Sequence, residues 1–185
     1  ATGRKFLRGP RGTGFLYVRR ALLEQLEPPM IDHFAAPWVA RDRYALRDDA
    51  RRFETWENNY AARLGLGVAV DYALAVGLDA IEARCRLLAD RLRLGLAEIS
   101  SVTLRDRGPA PSAIVSFTMG DHAADAVVAS AATAGITIGT STPASTRIDA
   151  EIRGLPPLVR ASPHYFNSEA DVDRLIGLCA RLAAV

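Results

Sequence analysis

Apolar residues follow two different regimes along this chain. From residue 58 onward they recur at regular periods; before it they cluster among glycines, prolines and alternating charges. Leu64, Val68, Tyr72 and Ala75 recur at helical spacing, with Asn58 or Asn59 as N-cap and Gly77 near the end, which predicts a helix from Asn58 to Leu78. Ile81, Leu88, Leu92 and Leu96 predict a second helix from about Asp79 to Ile99. The period then changes. Val102–Arg105 and Ala113–Phe117 read as strands joined by a turn around Gly108–Pro111. Ala123–Ala134 reads as a helix, Ile136–Ile138 and Leu158–Ala161 as strands, and Gly139–Pro157 as a loop between them. Ser168 or Glu169 opens a last helix that runs to about Leu182. Upstream, residues 1–14 form a glycine-rich basic loop, Phe15–Val18 a short buried strand, and Arg19–Leu26 a brief helix stopped by Pro28 and Pro29. Residues 30–57 hold no steady period, and a loop that long is usually functional or part of an interface.

This order predicts an α/β chain that becomes α+β in its C-terminal part, where a small, mainly antiparallel sheet is covered by helices on one face. We place a boundary between residues 1–78 and residues 79–185. Neither disorder nor a membrane span fits a chain of 185 residues that is 49% hydrophobic, whose longest apolar stretch is broken by Asp71. No signal peptide opens the chain, so a cytoplasmic protein is expected. Ala1 is not methionine and the busiest motif starts at the second residue, so we expect a preceding N-terminal segment.

Net charge is 23 − 21 = +2, too slight to argue for nucleic acid or a membrane surface as partner. Its make-up is more telling: Lys5 is the single lysine, and every other basic residue is arginine. Arginine neither forms a Schiff base nor loses its proton at usable pH, whereas lysine does both once its pKa falls. A lone lysine is therefore a candidate for lysine-specific chemistry. Cys85 and Cys179 sit on predicted helices, where they read as inert core thiols, and no metal site is indicated.

Three constellations could carry chemistry. In Thr2-Gly3-Arg4-Lys5 an amine lies beside a hydroxyl, a backbone-only position and a guanidinium, which suits a cofactor that is both aldehyde and phosphate. Alone, the tetrad would read as a solvated basic loop. Arg8-Gly9-Pro10-Arg11-Gly12-Thr13-Gly14 precedes a strand rather than a helix, which makes it a weak phosphate cradle; a nucleic-acid-binding arm is the rival reading. Arg160, at the end of a predicted strand in Val159–Asn167, is placed to grip a carboxylate bidentately.

In this order, together with Arg52-Phe53-Glu54, the blocks resemble the C-terminal half of a class V aminotransferase, in the cysteine-desulfurase-like branch of the fold-type-I pyridoxal-phosphate enzymes. The resemblance covers essentially the whole chain. It implies pyridoxal 5′-phosphate as cofactor, held covalently by Lys5, with Thr2 and Arg4 at its phosphate. It implies Arg160 on the substrate α-carboxylate and a homodimer in which Phe53–Asn59 reaches the neighbouring subunit's phosphate, with Trp56 as the candidate contact. Trp56 and Glu57 replace the glycine and threonine usual there. Residues 1–78 would close the large cofactor-binding domain and 79–185 would form the small domain. The ring-stacking residue and the aspartate facing the pyridine nitrogen would lie upstream of this chain.

Desulfurases of this branch hold a nucleophilic cysteine in the loop that here reads Gly139-Thr140-Ser141-Thr142. Capture of sulfur as a persulfide is therefore not expected. Transamination, epimerisation and β-elimination remain. The Phe53–Asn58 run and the Arg160–Asn167 block look most like the C–S lyases of ergothioneine biosynthesis, which cleave hercynylcysteine sulfoxide and release pyruvate and ammonia.

Overall fold

The computed structural model describes residues 1–184. The chain divides into two compact units, Ala1–Val76 and the part from Gly77 onward.

The first unit is mostly loop. Short 3-10 turns at Arg20–Gln25 and Ala50–Phe53 flank a small antiparallel hairpin of β1 (Trp38–Ala40) and β2 (Arg43–Tyr44). The unit ends on α1 (Tyr60–Val76), where the Asn59 side chain accepts from the Ala62 N–H at 3.0 Å and so caps the helix start. Its apolar stripe, Leu64, Val68 and Tyr72, is exposed, while Leu66, Ala69, Val70 and Ala73 are half-buried or buried. Phe15–Val18 is not a strand. One bridge, Thr2 to Gly14, reaches its edge, and Tyr17 is 80% exposed. A strand needs a ladder as well as apolar side chains. The brief helix expected at Arg19–Leu26 is a 3-10 turn over Arg20–Gln25.

The second unit is a four-stranded antiparallel sheet with helices on one face. Its elements are α2 (Leu78–Ala97), β3 (Val102–Leu104), β4 (Val115–Met119), α3 (Ala124–Thr133), β5 (Gly139–Ser141), α4 (Arg147–Arg153), β6 (Leu158–Ala161) and α5 (Glu169–Ala183), and the strand order is β3-β4-β6-β5. Alternation sets the faces: Val115, Phe117 and Met119 are fully buried, with Ser116 and Thr118 between them turned to the other side. Leu88, Leu92 and Leu96 of α2, Val127 of α3, and Val172, Leu175 and Cys179 of α5 complete the core. At Gly95 of α2 an added Cβ would lie 2.4 Å from Ile176 Cδ1, so the glycine lets α2 and α5 approach closely.

The strand expected at Ile136–Ile138 lies three residues later, at Gly139–Ser141. The exit from α3 explains the shift. Gly135 takes a φ of 70° and the Ile136 N–H closes back on the Ala131 carbonyl at 2.9 Å, so that donor is not available to a ladder. The expected loop at Gly139–Pro157 contains α4, which buries only Ala150 and carries Arg147–Glu151 and Arg153–Asp149 pairs one turn apart.

The start of α5 is closed by a capping box: Ser168 Oγ accepts from the Asp171 N–H and Asp171 Oδ2 accepts from the Ser168 N–H. Beside it, Arg84 Nη1 and Nη2 donate to both oxygens of Glu169, at 2.5 and 3.1 Å. That pairing, with the Glu169 backbone N–H, holds its carboxyl at about 2, against an ordinary 4.5. Asp171 is lowered chiefly by the Ser168 N–H, and Asp173 by Arg91. Carboxyls depressed in the folded state add stability above their unfolded pKa and lose it as pH falls through the folded one. Acid should therefore weaken the second unit progressively between about pH 4.5 and 2. Urea midpoints at pH 7 and pH 3 should differ less in Glu169→Gln than in the parent. In the same assay at pH 7, Phe117→Ala should cost about 3–5 kcal/mol.

Candidate functional site

The lysine loop is shaped by glycines that leave no room for side chains. Gly3 is buried, and a Cβ there would lie 2.5 Å from Thr13 Oγ1 and 2.7 Å from Leu66 Cδ1 of α1. Its N–H donates to the Thr13 carbonyl and its carbonyl accepts from the Gly9 N–H, both at 2.8 Å, which ties the two ends of the loop together. Pro10 seats its ring on Gly65 of α1, where a Cβ would come within 2.9 Å of Cγ. Thr13 Oγ1 donates back to the Pro10 carbonyl at 2.6 Å.

Between these anchors Lys5 opens a tight turn that Arg8 closes, with the Arg8 N–H on the Lys5 carbonyl at 3.0 Å. Arg8 sits at φ 58°, in the left-handed region that non-glycine residues seldom enter. Its guanidinium lies 5.4 Å from the Tyr72 ring centroid, a contact that helps hold the turn. Thr2, Arg4 and Lys5 are all exposed along this loop. A rigid base thus presents an amine, a hydroxyl and a guanidinium.

Thr2 also lines an open cleft of about 1190 Å³, with Arg51, Thr55, Asn58 and Arg63 among its other walls. These four were not singled out from the sequence. Thr55 and Asn58 do fall inside the Phe53–Asn59 block, which was the available signal. Trp56 lies elsewhere: its ring lines a separate pocket with Asp32, His33, Trp38 and Tyr44. The Trp56 N–H donates to Asp32 Oδ2 at 2.6 Å, and its carbonyl accepts from Tyr60 Oη at 2.9 Å. Of Thr2, Arg4 and Lys5, expected at this chain's own cofactor, Thr2 lines the cleft while Arg4 and Lys5 lie exposed on the loop beside it; Trp56, expected at the neighbouring subunit's phosphate, lines the separate pocket.

Arg160 belongs to the second unit. Its flanking residues Val159 and Ala161 belong to the core, so alternation turns Arg160 to the opposite face of the sheet, level with Ser116 of β4 and Gly139 of β5. A Cβ on Gly139 would be 4.0 Å from Arg160 Nη2, which places the guanidinium over this glycine. Arg84, Arg91, Arg93 and Arg153 of the same unit are paired with Glu169, Asp173, Asp106 and Asp149. Among the described residues no carboxylate pairs with Arg160, so its guanidinium is free for a carboxylate from outside.

Both thiols lie in the core. Cys85 is 5% exposed and Cys179 fully buried; burial pushes both pKa values up, that of Cys179 to about 11. A thiol so placed is a poor nucleophile.

A family model of class-V aminotransferases matches residues 1–175. This chain belongs to the class-V aminotransferase family. It is 31% identical over 191 residues to a cysteine desulfurase of Salmonella agona (strain SL483), covering 95% of this chain and 43% of that protein. Among solved structures it is similar to the apo cysteine desulfurase of Thermococcus onnurineus NA1, with a TM-score of 0.86 and 28% identity over 99% of this chain and 46% of that one. It is also similar to the Escherichia coli cysteine desulfurase CsdA, with a TM-score of 0.81 and 25% identity over 97% and 44%. The chain thus spans less than half the length of these relatives. The fold is that of the fold-type-I pyridoxal-phosphate enzymes, and the family's cofactor is pyridoxal 5′-phosphate.

The residues present fit that group. The loop offers one exposed amine for the aldehyde, with Thr2 and Arg4 as donors for a phosphate, on a backbone held tight where a Cβ cannot enter. Gly3→Ala should therefore loosen the loop from α1, seen as faster hydrogen exchange at the Gly9 amide. Gly67→Ala in α1, where nothing lies within 4 Å of the new carbon, should leave that exchange unchanged and add up to about 1 kcal/mol of stability.

Proposed function

We propose that this chain is the C-terminal half of a pyridoxal-phosphate-dependent C–S lyase that acts by β-elimination on a cysteine-sulfoxide-type amino acid, with hercynylcysteine sulfoxide as substrate. The observation that carries this reading is the burial of both thiols, alongside the exposed Lys5 and an Arg160 that no carboxylate pairs among the described residues. A desulfurase needs an accessible thiolate to take sulfur from its substrate. Here the segment at β5 has Thr140 and Ser141, and the cysteines are core residues with raised pKa values.

In this reading Lys5 holds the cofactor through its amine, and Thr2 and Arg4 take the phosphate. When bound, the cofactor supplies an electron sink for the bond-breaking at Cα. Arg160 binds the substrate α-carboxylate in a fork of two N–H donors, which fixes the direction of the Cα–H bond. The Lys5 amine would accept the Cα proton on Nζ. A sulfoxide brings its own leaving group, a sulfenate, so neither Cys85 nor Cys179 is asked to act. Residues 1–78 would complete a large domain and 79–185 form a small one. The working enzyme would be a cytoplasmic homodimer, with the Phe53–Asn59 loop at the neighbouring subunit's phosphate.

The test uses the protein at its relatives' full length, assayed with a cysteine sulfoxide and with cysteine. Pyruvate and ammonia from the sulfoxide, without sulfide and alanine from cysteine, are expected. Alanine and sulfide from cysteine would instead make it a desulfurase. Lys5→Arg keeps the charge but offers neither imine nor base, and should lower turnover by orders of magnitude. Arg160→Lys should raise KM for the amino acid about 10- to 150-fold with cofactor content unchanged, the loss of a bidentate charged pair. Near-normal turnover in Lys5→Arg would overturn the assignment.

A further inference from the structure

The pocket that holds Trp56 is built unlike a packing defect. Its volume is about 480 Å³, and Ile31, Asp32, His33, Trp38, Tyr44 and Trp56 line it. Three of its rings keep much of their surface open: Trp38 is 67% exposed, Trp56 58% and Tyr44 54%. Tryptophan is on average a strongly buried residue, so two open indoles on one pocket call for a partner. The walls are braced. Trp38 meets His33 edge-on at 6.0 Å and Trp56 meets Phe34 edge-on at 6.1 Å. Phe34 in turn lies under the Arg47 guanidinium at 4.9 Å, and Arg47 Nε donates to the Phe34 carbonyl.

A carboxylate completes the set. Asp32 Oδ1 accepts from the Phe34 and Ala35 N–H groups at 2.9 and 3.1 Å, and Oδ2 from the Trp56 N–H at 2.6 Å. These donors, that of Trp56 first, hold its carboxyl below the usual carboxylate range. The pocket therefore carries a fixed negative charge beside several aromatic faces.

We propose that this pocket binds a trialkylammonium group. Ring faces attract a cation through their quadrupoles, and the attraction survives best for one that is weakly hydrated and itself apolar. A compact ammonium would keep its water; an anion would be repelled by Asp32; a neutral group would gain only the apolar walls. Hercynylcysteine sulfoxide carries a trimethylammonium at the end remote from its cysteine carboxylate. On the lyase reading, and resting on it, the pocket, whose Trp56 belongs to the loop placed at the neighbouring subunit's phosphate, is the subsite for that remote end in the neighbouring subunit's site and sets the preference for a betaine-type substrate. Binding of the cation itself does not depend on that reading.

Both tryptophans of the chain line this pocket, so intrinsic indole fluorescence reports on it alone. The chain is titrated with tetramethylammonium chloride at constant ionic strength. Choline is then compared with its uncharged isostere 3,3-dimethylbutan-1-ol. Saturation transfer from protein to the ligand methyl protons repeats the comparison on the full-length protein. Saturable quenching is expected, with choline at least tenfold tighter than the isostere and a fivefold or greater loss in Trp38→Leu and in Asp32→Asn. Equal binding of choline and the isostere would make this a plain apolar pocket, and no methyl signal on the full-length protein would mean that protein covers it. Either result overturns the proposal. Turnover of the sulfoxide without cation binding would sink the pocket alone; cation binding without turnover would sink the lyase reading alone.

Discussion

Gly3 stands where any side chain would collide, 2.5 Å from Thr13 Oγ1 and 2.7 Å from Leu66 Cδ1 at the Cβ position, and the rest of the first unit is arranged around that contact. Because the backbone can approach α1 so closely, Gly3 bonds to both Thr13 and Gly9, and Pro10 closes down on Gly65. The loop is then short of slack, and its outer turn takes up the difference at Arg8, in the left-handed region. Strain of order 1–3 kcal/mol at such a residue persists only when its surroundings over-determine it. Here two hydrogen bonds, two glycine contacts and the Tyr72 ring do so. Lys5, at the start of the turn, inherits that rigidity.

The same contact explains why α1 buries an unexpected face. A helix read by its bulky residues would pack through Leu64, Val68 and Tyr72, yet those residues are 76%, 69% and 55% exposed. The loop needs a close approach, and Gly65 under Pro10 and Leu66 beside Gly3 and Gly9 supply it. Close approach selects small residues, and small residues carry little signal in a hydrophobic period. That is why this half of the site was legible as chemistry, through its lysine, but not as packing.

Elements whose burial alternates or repeats strongly could be read directly. The α2 face of Ile81, Leu88, Leu92 and Leu96 and β6 at Leu158–Ala161 lie where their patterns put them, whereas the strand expected at Ala113–Phe117 runs two residues later, as β4 at Val115–Met119. Elements held by other means could not. The hairpin at Trp38–Tyr44 has only exposed residues, and α4 buries Ala150 alone. The strand expected at Ile136–Ile138 had the right alternation, but its first N–H was already committed to ending α3. Trp56 was singled out by its place in a family block, whereas the aromatic pocket around it joins residues from 31 to 56 and has no local period to betray it.

Charge usage ties the two units to one chemical logic. Arginine supplies 22 of the 23 basic residues, and much of it serves as structural cation. In the second unit Arg84 and Arg91 bind the first turns of α5, and Arg93 bonds Asp106 together with the Ser112 carbonyl. Such pairs work because the guanidinium offers several donors in one plane and never loses its proton. Both properties make arginine useless as a proton acceptor or imine. A sequence that spends arginine on every structural pairing therefore leaves lysine to mark what arginine cannot do, and Lys5 sits on the most constrained loop of the chain. Arg160 follows the complementary rule: it has the geometry of a carboxylate clamp, and among the described residues it lacks the internal carboxylate that occupies its neighbours. A substrate carboxylate and a cofactor aldehyde would give these two residues the partners that their chemistry suits.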